Sequence, residues 1–360
     1  MERGGETGPK RAGPSERQLL WAGVLFGAGL CVGVWAGHAR LLKPRMVETR
    51  SVGTQFTNPL LECDIAGVAQ SPDMRLLKRD IQKIISREIA LRHIRFAAAY
   101  FRDLNNGPWF GINEDEKFAP ASLLKVPLMI AYLRWAEQDA GVPGKRLCFQ
   151  KSADPVEPNI SSARRLQLGQ CYAVSELVER MIVDSDNEAK DLLLSNLGMD
   201  RYRASYEDLG VETPTNPGDT MSVKDYASFF RVLFNATYLS PAMSEKALGM
   251  LSRVEFQDGL RAGVPVAIPL AHKFGERRIG AMRQLHDCGV VYYPGHPYLL
   301  CVMSRGADLG DMDDVIAGVS RAVYVDMTRR FPRAAMPGQL LFRSAVHGGP
   351  GGPGGARRDS

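Results

Sequence analysis

Residues 118–133, FAPASLLKVPLMIAYL, place a lysine, Lys125, inside an otherwise apolar run. This stretch constrains the fold more than any other, because an ammonium group is among the groups least often buried without a partner. A helix that is apolar nearly all round has to be a core helix, so Lys125 has to enter the interior with it. Ser122 lies three positions earlier, and on a helix that spacing sets the two side chains one turn apart on one face. A serine hydroxyl becomes a useful nucleophile only when something takes its proton. A lysine can do so once desolvation disfavours its charged form. Burial of Lys125 is therefore expected to serve base chemistry at Ser122. Taken alone the S-x-x-K spacing is common, and a surface lysine on a core helix explains it more simply.

The elements around this helix define the fold class. DMRLLKRDIQKIISREIAL, from Asp73, repeats its apolar residues at helical spacing. Two apolar or aromatic runs then flank Asn105-Asn106-Gly107, which predicts a hairpin. Further helical patterns occupy about 174–252. After Pro265 the pattern returns to strands in VAIPLAHKFG, LHDCGVVYYP and PYLLCVMSR, and residues 311–330 close as a helix with aspartates first and arginines last. Strands near both ends with helices between them predict an α+β fold, one antiparallel sheet with an inserted helical block.

The chain of 360 residues is 45% apolar and 24% charged, which suffices for a full core. A net charge of +5 lies partly in the tails and gives little reason to expect a nucleic-acid partner. Residues 19–37, LLWAGVLFGAGLCVGVWAG, carry no charge. At 1.5 Å per residue they make roughly 28 Å of helix, enough to cross a bilayer core. They are expected to be a retained single-pass anchor, since no A-x-A cleavage pattern follows. The basic residues Lys10, Arg11 and Arg17 before the run nearly balance Arg40, Lys43, Arg45 and Arg50 after it, so charge leaves the orientation open. The expected layout is a disordered tail over 1–18, the anchor over 19–37, a linker over 38–72, a globular domain over 73–332 and a disordered tail over 333–360.

Of the six cysteines, Cys288 and Cys301 lie symmetrically about a Pro-Gly turn, and Cys148 and Cys171 bracket a polar segment. Each pair reads equally well as a disulfide or as two buried thiols. No C-x-x-C spacing occurs, and the histidines at 38, 93, 272, 286, 296 and 347 show no H-x-x-x-H or H-x-H spacing, so neither a zinc site nor any other metal or cofactor is expected. His272 is read as structural, on a strand edge. No G-x-S-x-G elbow or phosphate-binding glycine loop is present; GVSRA near Ser320 falls short.

Two strings change the weight of S-x-x-K. Ser185-Asp186-Asn187 sits between apolar stretches in MIVDSDNEAKDLLL, and Lys273-Phe274-Gly275 lies on a predicted strand in PLAHKFGERR. S-x-x-K, S-D-N and K-x-G in that order are the signature of class A β-lactamases and penicillin-binding proteins. From about residue 75 to 330 the chain resembles this superfamily of serine acyl-transferring enzymes, and EDEKFAPASLLKVP, MIVDSDNEAKDLLLSNLG and GLRAGVPVAIPLAHKFG each look like its corresponding segments. The resemblance implies the β-lactamase/transpeptidase-like fold, with Ser122 the acylated nucleophile and Lys125 its proton acceptor. It makes Ser185 a proton relay to the leaving amine and Asn187 a hydrogen-bond partner of the substrate amide. Lys273 would set positive charge beside Ser185 and a substrate carboxylate, Gly275 would let substrate lie close to the strand, and the N–H groups of Ser122 and Glu276 would form the oxyanion hole. Substrates would be β-lactams or D-alanyl peptides of peptidoglycan, met outside the cytoplasm by a monomer on the cell membrane.

Two departures qualify the likeness. Phe274 replaces the hydroxyl residue of K-T-G, and the loop that carries a deacylating glutamate in the family looks short. Glu212 and Asn216 keep an E-x-x-x-N spacing, but Thr215 replaces the leucine, so Glu212 is a weak candidate for that base and a solvated loop carboxylate is the simpler reading. Slow hydrolysis of the acyl-enzyme is the expectation. The rival is a catalytically silent relative that binds peptidoglycan peptide or a partner protein.

Overall fold

The computed structural model describes Trp21, Gly27, Gly29 and residues 47–50, 55–57, 60–64, 72–105, 107–150, 166–213 and 220–332. Residues 1–47 with 64–68 form one compact unit, and residues 48–63 with 69–360 another. The expected anchor over 19–37 and both expected tails lie outside the described residues, apart from Trp21, Gly27 and Gly29, which are helical. Among the described residues no helix is long and apolar enough to cross a membrane.

In the larger unit the helix expected from Asp73 runs over Pro72–Ala90 (α1). The predicted hairpin forms from Ile94–Asp103 (β1) and Trp109–Ile112 (β2), with Ala99 opposite Ile112 and Arg102 opposite Trp109. Gly107 has φ 77°, a left-handed conformation that glycine adopts without steric cost. The buried helix is Lys125–Gln138 (α2). The helical block continues with Val174–Val183 (α3), Asn187–Leu197 (α4), Met199–Glu207 (α5), Val223–Phe234 (α6) and Pro241–Leu251 (α7). The meander is Leu270–Ile279 (β3), Met282–Val291 (β4) and Tyr298–Gly306 (β5), followed by Leu309–Arg330 (α8). Strand β3 begins later than VAIPLAHKFG suggested, because Ile268 N–H turns back to the Pro265 carbonyl. It ends at a tight turn where Gly280 has φ 61°. Helix α8 starts two residues ahead of the aspartate cluster, capped by Asp308 accepting from Asp311 N–H.

The five strands form one antiparallel sheet in the order β2-β1-β5-β4-β3, so strands from both ends of the domain meet where β1 pairs with β5. The two faces of β1 divide by the period of two. Ala97, Ala99 and Phe101 join a core with α1 and α8, while Ala98 and Tyr100 join a core with the helical block. Both faces are covered, which is why the strands read as nearly continuous apolar runs. Strand β3 is left at an edge, beside the start of α2.

Both cysteine pairs are disulfides. Cys288 and Cys301 stand opposite each other on β4 and β5, and Cys148–Cys171 ties Arg146–Cys148 to Cys171–Ala173.

Part of the expected linker over 38–72 lies within the described residues. Val47–Arg50 and Leu60–Asp64 are strand segments. Between them, the N–H groups of Gln55, Phe56 and Thr57 all donate to the Glu245 carboxylate of α7, at 2.7 to 2.9 Å. Tyr292 Oη donates to the Phe56 carbonyl at 2.8 Å, and the two rings meet edge to face at 5.4 Å. Three adjacent amides aimed at one carboxylate anchor this segment, an arrangement that needs a partner far along the chain and leaves no local periodicity.

Candidate active site

A single 3-10 turn, Ala121–Leu124, leads directly into α2. In 3-10 geometry residues i and i+3 eclipse, so Ser122 and Lys125 rise on one face. Ala121 has φ 51° immediately before Ser122, a conformation costly for a residue with a side chain and held by its surroundings. Those surroundings are visible on β4. Gln284 Oε1 accepts from Ala119 N–H at 3.0 Å, and His286 Nε2 lies 3.0 Å from the Ala119 carbonyl. Burial pushes the His286 imidazole down to about 4, so the neutral ring donates from Nε2 to that carbonyl. Gln284 and His286, two positions apart on one strand face, thus clamp the approach to Ser122. Sequence reasoning missed both, although polar residues on a strand buried on both faces were the available signal.

Lys125 is 1% exposed. Burial, then the nearby Lys273 charge, holds its amine well below the usual lysine range. Nζ lies 2.5 Å from the Ser185 carbonyl, 2.8 Å from Asn187 Oδ1 and 3.1 Å from Ser185 Oγ. The Ser185 carbonyl and the Asn187 amide oxygen can only accept, so each takes an N–H of Lys125, and the Ser185 hydroxyl lies within hydrogen-bond reach of the same nitrogen. Lys273 Nζ approaches the same Oγ from elsewhere, at 2.9 Å. Lys273 is fully buried on β3, and burial brings its amine down to about 7 against an opposing pull from Asp287. Ser185 Oγ thus lies within hydrogen-bond distance of both Lys125 Nζ and Lys273 Nζ, a hydroxyl bridging two amines.

Ser185 itself has φ 55°. Its conformation is held by Asp186, which caps α4 by accepting from Glu188 N–H at 2.8 Å and Ala189 N–H at 3.1 Å. The capped helix presents Asn187 at its first turn. Ser122, half-buried, makes no side-chain hydrogen bond among the described residues, to Lys125 or to any other group. The structure thus brings Lys125, Ser185, Asn187 and Lys273 into one hydrogen-bonded cluster, with the Ser122 hydroxyl on the same helix face and unengaged.

Gly275 is buried for a reason the motif did not supply. A Cβ built there would lie 3.0 Å from Leu123 N and the Pro120 carbonyl oxygen and 3.1 Å from Leu123 Cγ. The missing side chain lets β3 close against the turn that carries Ser122. Glu276, next along the strand, stands opposite Leu285. Phe274 is 5% exposed and stacks on Phe256 with centroids 4.3 Å apart. His272, also buried, has Nδ1 2.9 Å from Asp287 Oδ1, and Asp287 Oδ2 accepts from Leu260 N–H. That pairing gives His272 a structural place. Glu212 is exposed, and no carboxylate accepts from Lys125 among the described residues; Thr215 and Asn216 lie outside them. No group of three or more histidine, cysteine or carboxylate side chains among the described residues could hold a metal ion.

Comparison with known proteins points to one family. The profile of the beta-lactamase enzyme family matches residues 76–327. Beta-lactamase 1 of Streptomyces cacaoi is 27% identical over 251 residues, covering 61% of this chain and 75% of that protein. A beta-lactamase of Streptomyces fradiae is 27% identical over 266 residues, covering 67% and 85%. Among solved structures, a PBP-A variant in an acyl-enzyme complex with penicillin G superposes with TM-score 0.61 at 25% identity, covering 71% of this chain and 97% of that one. An ancestral class A beta-lactamase gives TM-score 0.60 at 25% identity, covering 69% and 99%.

Proposed function

The chain belongs to the beta-lactamase enzyme family and has its α+β fold, and from that premise we propose that it is a serine hydrolase acylated at Ser122 by β-lactams or D-alanyl peptides and slow to release the acyl group. The observation that carries this reading is the desolvated amine of Lys125, one turn from an unengaged serine hydroxyl and joined through Ser185 to a second buried amine.

In the proposed step Ser122 Oγ attacks the carbonyl carbon of the amide, forming the C–O bond, while its proton passes to the Lys125 lone pair. The carbonyl oxygen takes up negative charge facing the N–H groups of Ser122 and Glu276. Collapse of the intermediate breaks the C–N bond. The departing nitrogen takes a proton from Ser185 Oγ, which recovers one from the Lys125 ammonium, so the products are an ester on Ser122 and a free amine. Asn187 is the partner for the substrate amide. Slow release is supported by the exposure of Glu212 and by the lack of any carboxylate bonded to Lys125 among the described residues.

Intact-mass measurement after incubation with benzylpenicillin tests the reading. A lasting adduct mapped to Ser122 is the expected result, and rapid accumulation of hydrolysed drug would identify a fast lactamase instead. No adduct and no product would favour the rival, a silent relative that binds cell-wall peptide or a partner protein. The missing side-chain hydrogen bond between Lys125 and Ser122 is the observation on its side.

The anchor over residues 19–37 and a catalytic domain outside the cytoplasm belong to the same proposal, as does a monomeric state. The two disulfides support the placement, since oxidising compartments are where such bonds persist. In unreduced full-length protein Cys148, Cys171, Cys288 and Cys301 should not react with a thiol reagent. Reaction at all six cysteines would remove this support.

A further inference from the structure

The side of the sheet farthest from Lys273 carries cations that the proposed acylation does not use. In the order β2-β1-β5-β4-β3, strands β1 and β2 lie at one side and β3, with Lys273, at the other. On the face turned to the helical block, Arg102 of β1 stands directly across from Trp109 of β2. Tyr100, two positions back on the same face, stacks on Trp109 with ring centroids 5.5 Å apart. Lys224, near the start of α6, holds Nζ 5.5 Å from the centre of the Trp109 ring, and Trp109 stays open to solvent at 38% exposure. Arg231, about two turns further along α6, is half-buried and faces Arg102 and Tyr100. Burial, then the Arg102 charge, lowers its guanidinium, against an opposing pull from Tyr100.

Neither guanidinium makes a hydrogen bond or an ion pair among the described residues. The carboxylates nearby do not compensate them. Asp115 pairs with Lys224 at 3.7 Å, Asp103 accepts from Asn105 N–H at 2.8 Å, and Glu114 packs over Gly111 without an ion pair to either arginine. A cation withdrawn from water without a counter-charge is costly, and two of one sign held together raise that cost. A dianion compensates both, whereas a carboxylate leaves one of them bare. Phosphate oxygens also match the guanidinium fork, which grips two of them at once.

We propose that Arg102 and Arg231, with Lys224 at the rim, form a binding site for a phosphomonoester dianion, at the far side of the sheet from the nucleophile turn. The ligand is recognised by its phosphoryl group, carried either on a soluble ester or on a lipid headgroup. The site is independent of acylation at Ser122.

The test is calorimetric titration of the full chain with sodium phosphate, against sodium chloride of equal ionic strength. The wild-type protein should bind phosphate saturably. Arg102→Met and Arg231→Met should each weaken binding about tenfold or more, the scale of a lost hydrogen bond to a charged group. Arg253→Met, whose guanidinium pairs with Glu179 elsewhere, should bind as the wild type does. Arg231→Lys keeps the charge and should retain more binding than Arg231→Met, which guards against a variant that merely folds poorly. Sedimentation with phosphatidylcholine vesicles, with and without phosphatidic acid, distinguishes the two sources. Extra retention on the acidic vesicles that Arg231→Met loses assigns a headgroup, and equal retention assigns a soluble ester. Absence of saturable phosphate binding, or binding that survives in both methionine variants, overturns the inference and leaves the reading of Ser122 untouched.

Discussion

Substitution of Gly275 by alanine tests the claim that β3 and the nucleophile turn are held at a fixed separation. The added Cβ would stand 3.0 Å from two backbone atoms, Leu123 N and the Pro120 oxygen, where ordinary contact begins near 3.4 Å. Neither atom belongs to a flexible side chain, so the turn or the strand has to retreat. The nucleophile turn has little slack, because Ala119 is clamped by Gln284 and His286 on the neighbouring strand. Overpacking of this kind costs about 1–3 kcal/mol, a fall of about 3–10 °C in melting temperature for a domain of this size. A shift of about half an ångström at Ser122 should slow acylation about 10-fold or more, given that misplacement by 1 Å can cost 10²-fold. The assay is stopped-flow or intact-mass acylation by a reactive β-lactam, paired with thermal unfolding. Gly144→Ala is the control, since a Cβ there meets nothing within 4 Å. An acylation rate for Gly275→Ala equal to that of wild type, in protein that melts normally, would refute the argument that this glycine sets the site's width.

Lys125→Met should lower the acylation rate by about 10²–10⁴, the range typical of a lost general base; a variant that still acylates at the wild-type rate would exclude Lys125 as the base. The Lys273 amine falls from 10.5 in the unfolded chain to about 7 in the fold, so between those values the unfolded chain binds more protons. Its contribution to stability therefore rises with pH across that window, by up to about 1.4 kcal/mol per unit, and denaturant unfolding of Lys273→Met should lack this part of the slope. Glu245→Ala removes the acceptor of the Gln55, Phe56 and Thr57 amides, and hydrogen exchange at these three should accelerate at least tenfold while the sheet stays protected; unchanged exchange would mean the carboxylate does not anchor the segment. Glu212→Gln should leave the lifetime of the Ser122 adduct unchanged in a mass-spectrometric chase, and a markedly longer lifetime would make Glu212 the deacylating base after all.

What the sequence determined on its own is chemistry with a local signature. A lysine one turn from a serine in an apolar run, a hairpin at Asn105-Asn106-Gly107, strands near both ends with helices between, and three short motifs in order are all legible within a few residues of chain. Periodicity carries such information because backbone geometry repeats every 3.6 or 2 residues. Only the tertiary structure decided which distant groups meet. Composition reads residues 38–72 as a linker, yet Glu245 captures the amides of residues 55–57. Gly275 reads as room for substrate, while the fold uses it to seat β3 against the nucleophile turn. Phe274 reads as a missing hydroxyl and becomes, against Phe256, half of a buried aromatic stack. Ala119 owes its position to Gln284 and His286, more than 160 positions further along the chain. Each of these depends on a partner remote in sequence, whose approach is set by the packing of whole elements and leaves no trace in the spacing of nearby residues.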